Sequence, residues 1–274
     1  MVTRLLLFLG YCLGSFITML AYRYPKMLLT RAQRKPALTL CTPRSHCPQC
    51  QQSLRWRDNI PLLSYLWLRG RCAHCRAPIG CCYWLTEVAT VGTTALLLYQ
   101  SPSLPLPQLL GYLLCSWLLI ALAVIDWHSG LLPDNLTLGL LWLGLLFQVI
   151  TRSVAIEQAI WGAALGYLLL WSLFQIHYRL TGRQGMGYGD FKLTAALGAW
   201  LGWQPLITVL WLASLLALFA FIVDALWPRP ANLSTARSLR RRRLPFGPAL
   251  ALAGWWVLMR YPLPGALLLG LPGY

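Results

Sequence analysis

Eight long apolar segments divide this 274-residue chain, and they constrain its fold more than any other feature. A helix needs about 20 mostly apolar residues to cross a bilayer. The segments are predicted at residues 2–22, 84–100, 107–126, 134–150, 156–178, 191–203, 205–227 and 245–262. The sixth is short for a span and is expected to be tilted or partly re-entrant. The predicted fold class is an all-α polytopic membrane protein with about eight transmembrane helices and a small zinc-bound loop domain.

Composition supports the same conclusion, because only 11% of the residues are charged. A soluble domain of this length carries about a quarter charged residues. Residues 1–22 contain one Arg and no small-residue cleavage site, so they are interpreted as a retained helix rather than a signal peptide. The apolar tail at residues 263–274 is broken by two prolines and is not expected to cross again.

The net charge of +16 is concentrated in two segments, residues 23–83 and 228–244. Cytoplasmic loops of membrane proteins carry such an excess of Lys and Arg, and basic loops also favour an anionic leaflet. The charge therefore predicts topology and a lipid partner rather than nucleic-acid binding. With both basic segments in the cytoplasm, alternating crossings place residues 126–134 and 179–190 on the cytoplasmic side as well.

Four cysteines in the first basic segment form two C-x2-C pairs separated by 21 residues. Each pair presents two thiolates to one tetrahedral ion, a spacing typical of structural zinc, and the reducing cytoplasm keeps thiols free for metal. The predicted ligands are Cys47, Cys50, Cys72 and Cys75. The alternative is two independent turns with buried free thiols. No internal repeat is evident in the sequence.

The predicted domains follow from these features: a first transmembrane helix at 1–22, a zinc-binding loop domain at 23–83 and a membrane domain at 84–274. The loop is too short to build a large apolar core, so a metal ion or docking onto a larger body is expected to stabilise it.

Two of the seven acidic residues, Asp126 and Asp190, lie where apolar segments meet polar ones. Carboxylates at a membrane boundary are costly and usually functional. Two carboxylates that share a proton can activate water and polarise a peptide carbonyl, so the pair predicts an intramembrane aspartyl peptidase. Three glycines at 185, 187 and 189 precede Asp190, and we expect them to permit unusual backbone angles and close approach of a substrate.

Simpler interpretations of these acids remain open. Asp190 fits the N-cap of the next helix, and Asp126 fits an ion pair with Lys192 or Arg183. Asp134, after Pro133, is interpreted as an N-cap.

The chain resembles one family along nearly its whole length, the bacterial type IV prepilin peptidases of the GxGD aspartyl class. The resemblance rests on Gly14-Ser15-Phe16 with Arg23 and Pro25, on the loop residues 56–65 and 68–71, on Asp126 with residues 131–134, on residues 185–193 and on residues 245–248.

The resemblance implies that Asp126 and Asp190 are catalytic, that Gly187, Gly189 and Lys192 support the active site, and that Glu87 belongs to the methyl-transfer region. It implies cleavage of the basic leader of prepilins or pseudopilins after a Gly, at the cytoplasmic face of the inner membrane. It also implies methylation of the new N-terminus with S-adenosylmethionine.

The chain departs from the family pattern at two places. Thr18 stands where the family usually has Asn, and residues 79–84 lack the family's Arg and Pro. Both lie on the side associated with methylation, and neither affects the aspartates. A proton-coupled transporter and an inactive assembly protein of a secretion complex are the alternative functions. The oligomeric state is not predicted.

Overall fold

The computed structural model describes residues 2–32, 39, 40, 42, 44–183, 185–226 and 245–260, without the side chains of residues 28–32. The second basic segment at 228–244, the tail at 263–274 and Cys41 lie outside the described residues. The chain divides into two compact units, Met1–Ser129 and Gly130–Tyr274.

The first unit contains three long helices and a loop. The long helices are α1 (Val2–Ala32), α3 (Cys81–Gln100) and α4 (Leu106–Ser129). The loop between α1 and α3 carries a short 3-10 helix at Trp56–Asn59 and the short helix α2 (Leu63–Trp67). Helices α1, α3 and α4 pack pairwise against one another.

Buried threonines line the packed face of α3 at every fourth position. The hydroxyls of Thr86, Thr90 and Thr94 each donate to the carbonyl four residues earlier, at 2.7–2.8 Å. Thr94 also accepts from Trp117 Nε1 of α4 at 3.0 Å. These three threonine hydroxyls and the Trp117 N–H are therefore satisfied inside the unit, as an apolar solvent requires.

The second unit contains α5 (Asp134–Thr151), α6 (Ile156–Thr181), α7 (Tyr188–Leu201), α8 (Trp203–Leu226) and α9 (Gly247–Arg260). Helix α7 is its centre. Eleven of the 14 residues of α7 are buried, and α7 packs against each of the other four helices.

Glycines allow α6 and α7 to touch backbone to backbone. A Cβ added to Gly162 would lie 2.4 Å from the carbonyl oxygen of Gly198, and one added to Gly198 would lie 2.1 Å from that of Gly162. Such small-residue contacts are typical of helix pairs in membranes, where close van der Waals packing drives association.

Helix α5 is joined to α7 through a buried amide. The side chain of Gln148 donates to the carbonyl of Trp200 at 2.8 Å and accepts from the backbone N–H of Val154 at 3.1 Å. Trp200 in turn donates from Nε1 to the carbonyl of Leu140 at 2.9 Å. These bonds and the glycine contact hold α7 on two sides.

The predicted all-α polytopic membrane fold is confirmed. Among the described residues, six helices are long and apolar enough to cross a membrane: α1, over Val2–Met27, and α3, α4, α5, α6 and α8. Helices α7 and α9 correspond to the sixth and eighth predicted segments, and each has 14 residues.

Helix α1 continues to Ala32, ten residues beyond the predicted apolar segment 2–22. Arg, Lys, Leu and Met, which dominate this extension, are good helix formers. The hydropathy pattern locates the end of the apolar segment, but the helix itself continues as long as the following residues favour helix formation. The Lys26 ammonium lies 3.5 Å from the centre of the Tyr22 ring within this extension.

Candidate active site and metal centre

The four predicted ligand cysteines lie together. Their Sγ atoms are all within 4.8 Å of one another, and those of Cys47 and Cys75 are 3.8 Å apart. A tetrahedron with Zn–S bonds of about 2.3 Å has edges of about 3.8 Å. The geometry and the donor set therefore fit one tetrahedral metal ion, and the interpretation as two independent turns is wrong.

The two cysteine turns are structural copies of each other at an offset of 25 residues. In each turn the backbone N–H of the first cysteine donates to the carbonyl five residues later. The carbonyl of the same cysteine accepts from the N–H four residues later, and all four bonds measure 2.9–3.1 Å. A β-bridge closes each turn, between His46 and Ser53 and between Arg71 and Pro78. The sequence showed no repeat because, apart from the cysteines, the repeated feature is backbone geometry.

Backbone donors polarise this cluster. The N–H groups of Cys50 and Gln49 point at the Cys47 sulfur and lower the pKa of Cys47 to about 6. At Cys75 the N–H of Ala77 has the largest effect and lowers the pKa, but desolvation and the neighbouring thiols outweigh it and raise the pKa to about 11. The Cys47 thiolate is thus favoured at neutral pH, whereas Cys75 keeps its proton until a divalent cation displaces it.

Asp126 lies inside α4, one turn before its end at Ser129, and is 6% exposed. The predicted apolar segment ended at Asp126, but the helix carries the carboxylate within its last turn. Its neighbour Trp127 is 59% exposed. The buried carboxylate and the exposed indole therefore lie on different faces of α4.

Asp190 is the third residue of α7 and is 7% exposed. The N-cap is Gly187, so the interpretation of Asp190 as an N-cap is wrong. The positive end of the helix dipole favours an anion in this first turn. The Asp190 carboxylate is therefore buried within the first turn of α7, three residues after the N-cap.

Aromatic rings fix the start of α7. Phe191 is fully buried, with ring centres 5.6 Å from Phe174 and 6.1 Å from Tyr167 on α6. Tyr188 packs 5.4 Å from Phe174. The residues on both sides of Gly189 and Asp190 are therefore packed against α6, which limits the movement of the carboxylate.

The glycines before Asp190 serve close packing rather than unusual backbone angles. Gly187 has a φ of −83°, and among the described glycines the positive φ values belong to residues 70, 130, 182 and 202. A Cβ on Gly189 would lie 2.6 Å from the Leu132 Cβ, and one on Gly185 would lie 3.0 Å from His177. The expected angles are absent, and the close contacts are with Leu132 and His177, so the approach of a substrate stays a prediction.

Lys192 forms an ion pair with Asp134, with Nζ 2.6 Å from Oδ1. The expectation that Asp134 is an N-cap is wrong, since Pro133 is the N-cap and Asp134 the first residue of α5. The partner of Lys192 that the structure shows is Asp134. The ion pair and the Gly189–Leu132 contact bring the starts of α5 and α7 to the same end of the second unit.

Glu87 lies on α3 and accepts a hydrogen bond at 2.7 Å from the backbone N–H of Leu62, in the loop. Gly14 of α1 packs closely against the backbone of Glu87, because a Cβ added to Gly14 would lie 3.0 Å from the Glu87 Cα. Tyr11 of α1 donates to the carbonyl of Pro61. The sequence contained no signal for Tyr11 or Leu62, since neither belongs to a chemical motif.

A cavity of about 370 Å³ opens in the first unit where α1, α3 and α4 meet. Its lining includes Tyr22 and Lys26 of α1, Tyr83 of α3 and His128 of α4. Small-molecule sites in proteins have volumes of about 300–1,000 Å³. The cavity combines rings, a cation and an imidazole at a size that admits a small ligand.

Comparison with known proteins accounts for both halves of the chain. Residues 8–101 match the family described as Bacterial Peptidase A24 N-terminal domain, and residues 113–222 match the Type IV leader peptidase family. No solved structure matches the chain.

Several relatives carry the name Prepilin leader peptidase/N-methyltransferase. The protein of Aeromonas hydrophila is 44% identical over 263 residues, which cover 90% of this chain and 87% of the relative. That of Dickeya chrysanthemi is 45% identical, covering 91% and 89%, and that of Pseudomonas aeruginosa is 40% identical, covering 92% and 88%. The matched regions contain the four cysteines and both aspartates. The chain therefore belongs to the type IV leader peptidase family.

Proposed function

We propose that this protein cleaves the leader from type IV prepilins or type II secretion pseudopilins and then N-methylates the new N-terminal residue. The observation that carries the proposal is the similarity to prepilin leader peptidase/N-methyltransferases over nearly the full length of both proteins. A transporter is not favoured by this family membership. The matched halves contain the residues that each of the two activities would need.

Asp126 and Asp190 are proposed as the catalytic pair. Both carboxylates are buried, and each lies at the end of a helix. One carboxylate takes a proton from water, whose oxygen attacks the scissile carbonyl carbon, while the other donates its proton to the carbonyl oxygen. Collapse of the tetrahedral intermediate breaks the C–N bond, and the amine leaves with a proton.

Gly187, Gly189 and Lys192 are proposed to support this site without taking part in proton transfer. The contact of Gly189 with Leu132 lets the start of α7 pack close to the start of α5. The Lys192–Asp134 ion pair joins the same two helix starts. These contacts support a positioning role for Gly189 and Lys192, while Gly187 is the N-cap of α7.

Zinc is the proposed ion for Cys47, Cys50, Cys72 and Cys75. Four thiolates suit zinc, and a closed set of four ligands leaves no place for a catalytic water. The ion would join the two cysteine turns and stabilise the loop, so its role is structural.

S-adenosylmethionine is the proposed methyl donor, and when bound it supplies an electrophilic methyl group to the substrate amine. Glu87 is proposed to belong to the methyl-transfer region. The cavity of about 370 Å³ supports this location, since Tyr83 and Thr86, beside Glu87 on α3, form part of its wall.

The proposed location is the bacterial inner membrane, with the active site at the cytoplasmic face. The six candidate spans support a multi-pass protein. The domains are proposed as a first transmembrane span at 1–22, within the longer helix α1, a loop domain at 23–83 and a membrane domain at 84–274. The basic loop favours anionic lipids, and nucleic acid is not proposed as a partner.

A cleavage assay with purified protein and a prepilin tests the proposal. Asp126→Asn and Asp190→Asn are each expected to lower turnover by roughly 10²- to 10⁴-fold, the range for loss of general acid–base catalysis. Glu157→Gln, an exposed acid in the first turn of α6, is the matched control and should leave turnover unchanged. Near-normal turnover in either Asn variant would contradict the proposed pair, and a wild type inactive on prepilins would favour the assembly protein.

Mass spectrometry of the product tests methylation separately. In the presence of S-adenosylmethionine the new N-terminus should gain one methyl group, and without the donor it should not. Cleavage with an unmethylated product under both conditions would leave the peptidase proposal standing and reject the methyltransferase.

A further inference from the structure

The loop segment 60–68 is held against α1 and α3 by three contacts. Tyr11 of α1 donates to the carbonyl of Pro61, and Glu87 of α3 accepts from the N–H of Leu62 at 2.7 Å. The ring of Tyr65 stacks on Trp84 of α3, with centres 6.2 Å apart. The segment therefore lies alongside two helices, rather than extending away from their ends.

Both helices are candidate membrane spans at the contact points. The candidate membrane span of α3 is Cys81–Gln100, and that of α1 is Val2–Met27. Glu87 is six residues beyond the start of α3, which at 1.5 Å per residue is about 9 Å along the helix axis. Because α3 has only 20 residues with which to cross, its first residues already lie near the hydrocarbon boundary. Leu62 is thus level with the outer part of the hydrocarbon core.

Several backbone N–H groups of this segment are bonded within the protein. Non-helical backbone is tolerated at membrane depth only where protein satisfies its polar groups. The N–H groups of residues 62, 63, 64, 66, 68 and 70 each have a protein acceptor, and Pro61 has no N–H. The carbonyl of Pro61 accepts from Tyr11. Leu62 keeps a φ of 56° to make these bonds, an unusual angle for a residue with a branched side chain.

The outer face of α2 is apolar and exposed in the part of the chain that the structure describes. Leu63 is 59% exposed, Leu66 60% and Trp67 86%. Two residues of the adjoining α3, Leu85 and Val88, are also exposed. Since α3 is a candidate span, its exposed apolar side chains suit a lipid environment, and so does the exposed apolar face of α2.

Arginines border this apolar face. Arg55 and Arg57 precede α2, and Arg69 and Arg71 follow it, all exposed. Cations flanking an apolar helix face are typical of helices that lie in the interface of an anionic bilayer. Trp67 also belongs to the residue type that is enriched at this level.

We propose that α2 anchors the metal loop, the segment between α1 and α3 that carries the four cysteines, in the membrane. Leu63, Leu66 and Trp67 insert among lipid acyl chains, and the flanking arginines contact anionic headgroups. The occupant of this face is the bilayer itself, and the loop is partly embedded rather than fully cytoplasmic. The Glu87–Leu62 bond, six residues inside a candidate span, is the observation that favours lipid over a soluble protein partner.

Photo-crosslinking of the full-length protein tests this anchor. Benzoylphenylalanine is introduced singly at Leu66 or Trp67, and the protein is reconstituted into vesicles of phosphatidylethanolamine and phosphatidylglycerol. Leu215, exposed on the candidate span α8, is the positive control, and Gln49, exposed in a cysteine turn, is the aqueous control. Mass spectrometry counts the lipid adducts, and retained metal content shows that each variant keeps the loop folded.

Lipid adducts at position 66 or 67 within about threefold of those at 215, and well above those at 49, would support the anchor. Two results would overturn it. Adducts at background level at both positions would place α2 in water. Adducts to added prepilin or to a second copy of the chain would assign the face to a protein partner.

Discussion

The metal loop and helix α7 are stabilised in opposite ways, although each holds residues that the proposed function needs. The loop, between α1 and α3, has few buried apolar side chains and is held by backbone turns, four thiols and contacts with two helices. Helix α7 has 11 of 14 residues buried and is held by close apolar packing. The loop should therefore depend on one ion, whereas α7 should depend on the size of individual side chains.

Removal of the metal is expected to have the largest effect and to be confined to the loop. Structural zinc contributes roughly 10–16 kcal/mol of apparent binding free energy in small zinc-finger peptides. Cys47→Ser or Cys72→Ser should abolish metal binding and unfold the loop. Trypsin should then cleave the unfolded backbone after the arginines of residues 44–76. The metal-to-protein ratio and the tryptic fragments measure this.

The matched control for these variants is Cys81→Ser, an exposed cysteine outside the cluster, which should retain metal and trypsin resistance. If the serine variants also expose the segment around α7 to protease, the two regions are not independently stabilised and the contrast fails.

Overpacking of α7 is expected to have the next largest effect. Gly198→Ala places a Cβ 2.1 Å from the carbonyl oxygen of Gly162, so α6 and α7 must separate. The free energy of unfolding should fall by about 3 kcal/mol, the upper part of the usual overpacking range. Denaturation in detergent measures the loss, while the metal content should stay at the wild-type level.

Gly139→Ala on α5 is the control, because nothing lies within 4 Å of the added Cβ. It should leave stability unchanged or raise it slightly, since Ala is the better helix former. Equal losses in the two variants would mean that helix propensity, not the α6–α7 contact, determines the effect.

Loss of the Lys192–Asp134 ion pair is expected to have the smallest effect on stability. The side chains are 25% and 60% exposed, and such ion pairs contribute less than about 1 kcal/mol. Lys192→Met and Asp134→Asn should therefore each lower the free energy of unfolding by under about 1 kcal/mol, and a double-mutant cycle measures the coupling. A coupling of several kcal/mol would show that this contact, and not apolar packing, secures the start of α7.

The helices and the metal ligands were predictable from sequence because each has a local signal. Apolar runs near 20 residues locate spans, and C-x2-C spacing identifies the cluster. The end of α1 at Ala32 was not predicted, because hydropathy does not detect a helix that continues through polar residues.

The errors at Asp134 and at the glycines have a different origin. The Lys192–Asp134 pair joins residues 58 positions apart, and the Gly189–Leu132 contact joins residues 57 positions apart. The same holds for the Tyr11–Pro61 and Leu62–Glu87 contacts, which hold the loop against α1 and α3. Such contacts depend on tertiary packing, and no local pattern predicts them.

The burial of α7 has a consequence for biosynthesis. With 14 residues, α7 is too short to be inserted as an independent span, and two of the helices that enclose it, α8 and α9, follow it in the chain. We therefore expect the Asp190 helix to reach its final environment only after the ribosome has passed Arg260. Until then a nascent chain would hold an unfinished peptidase, unable to cut the pilins being made beside it.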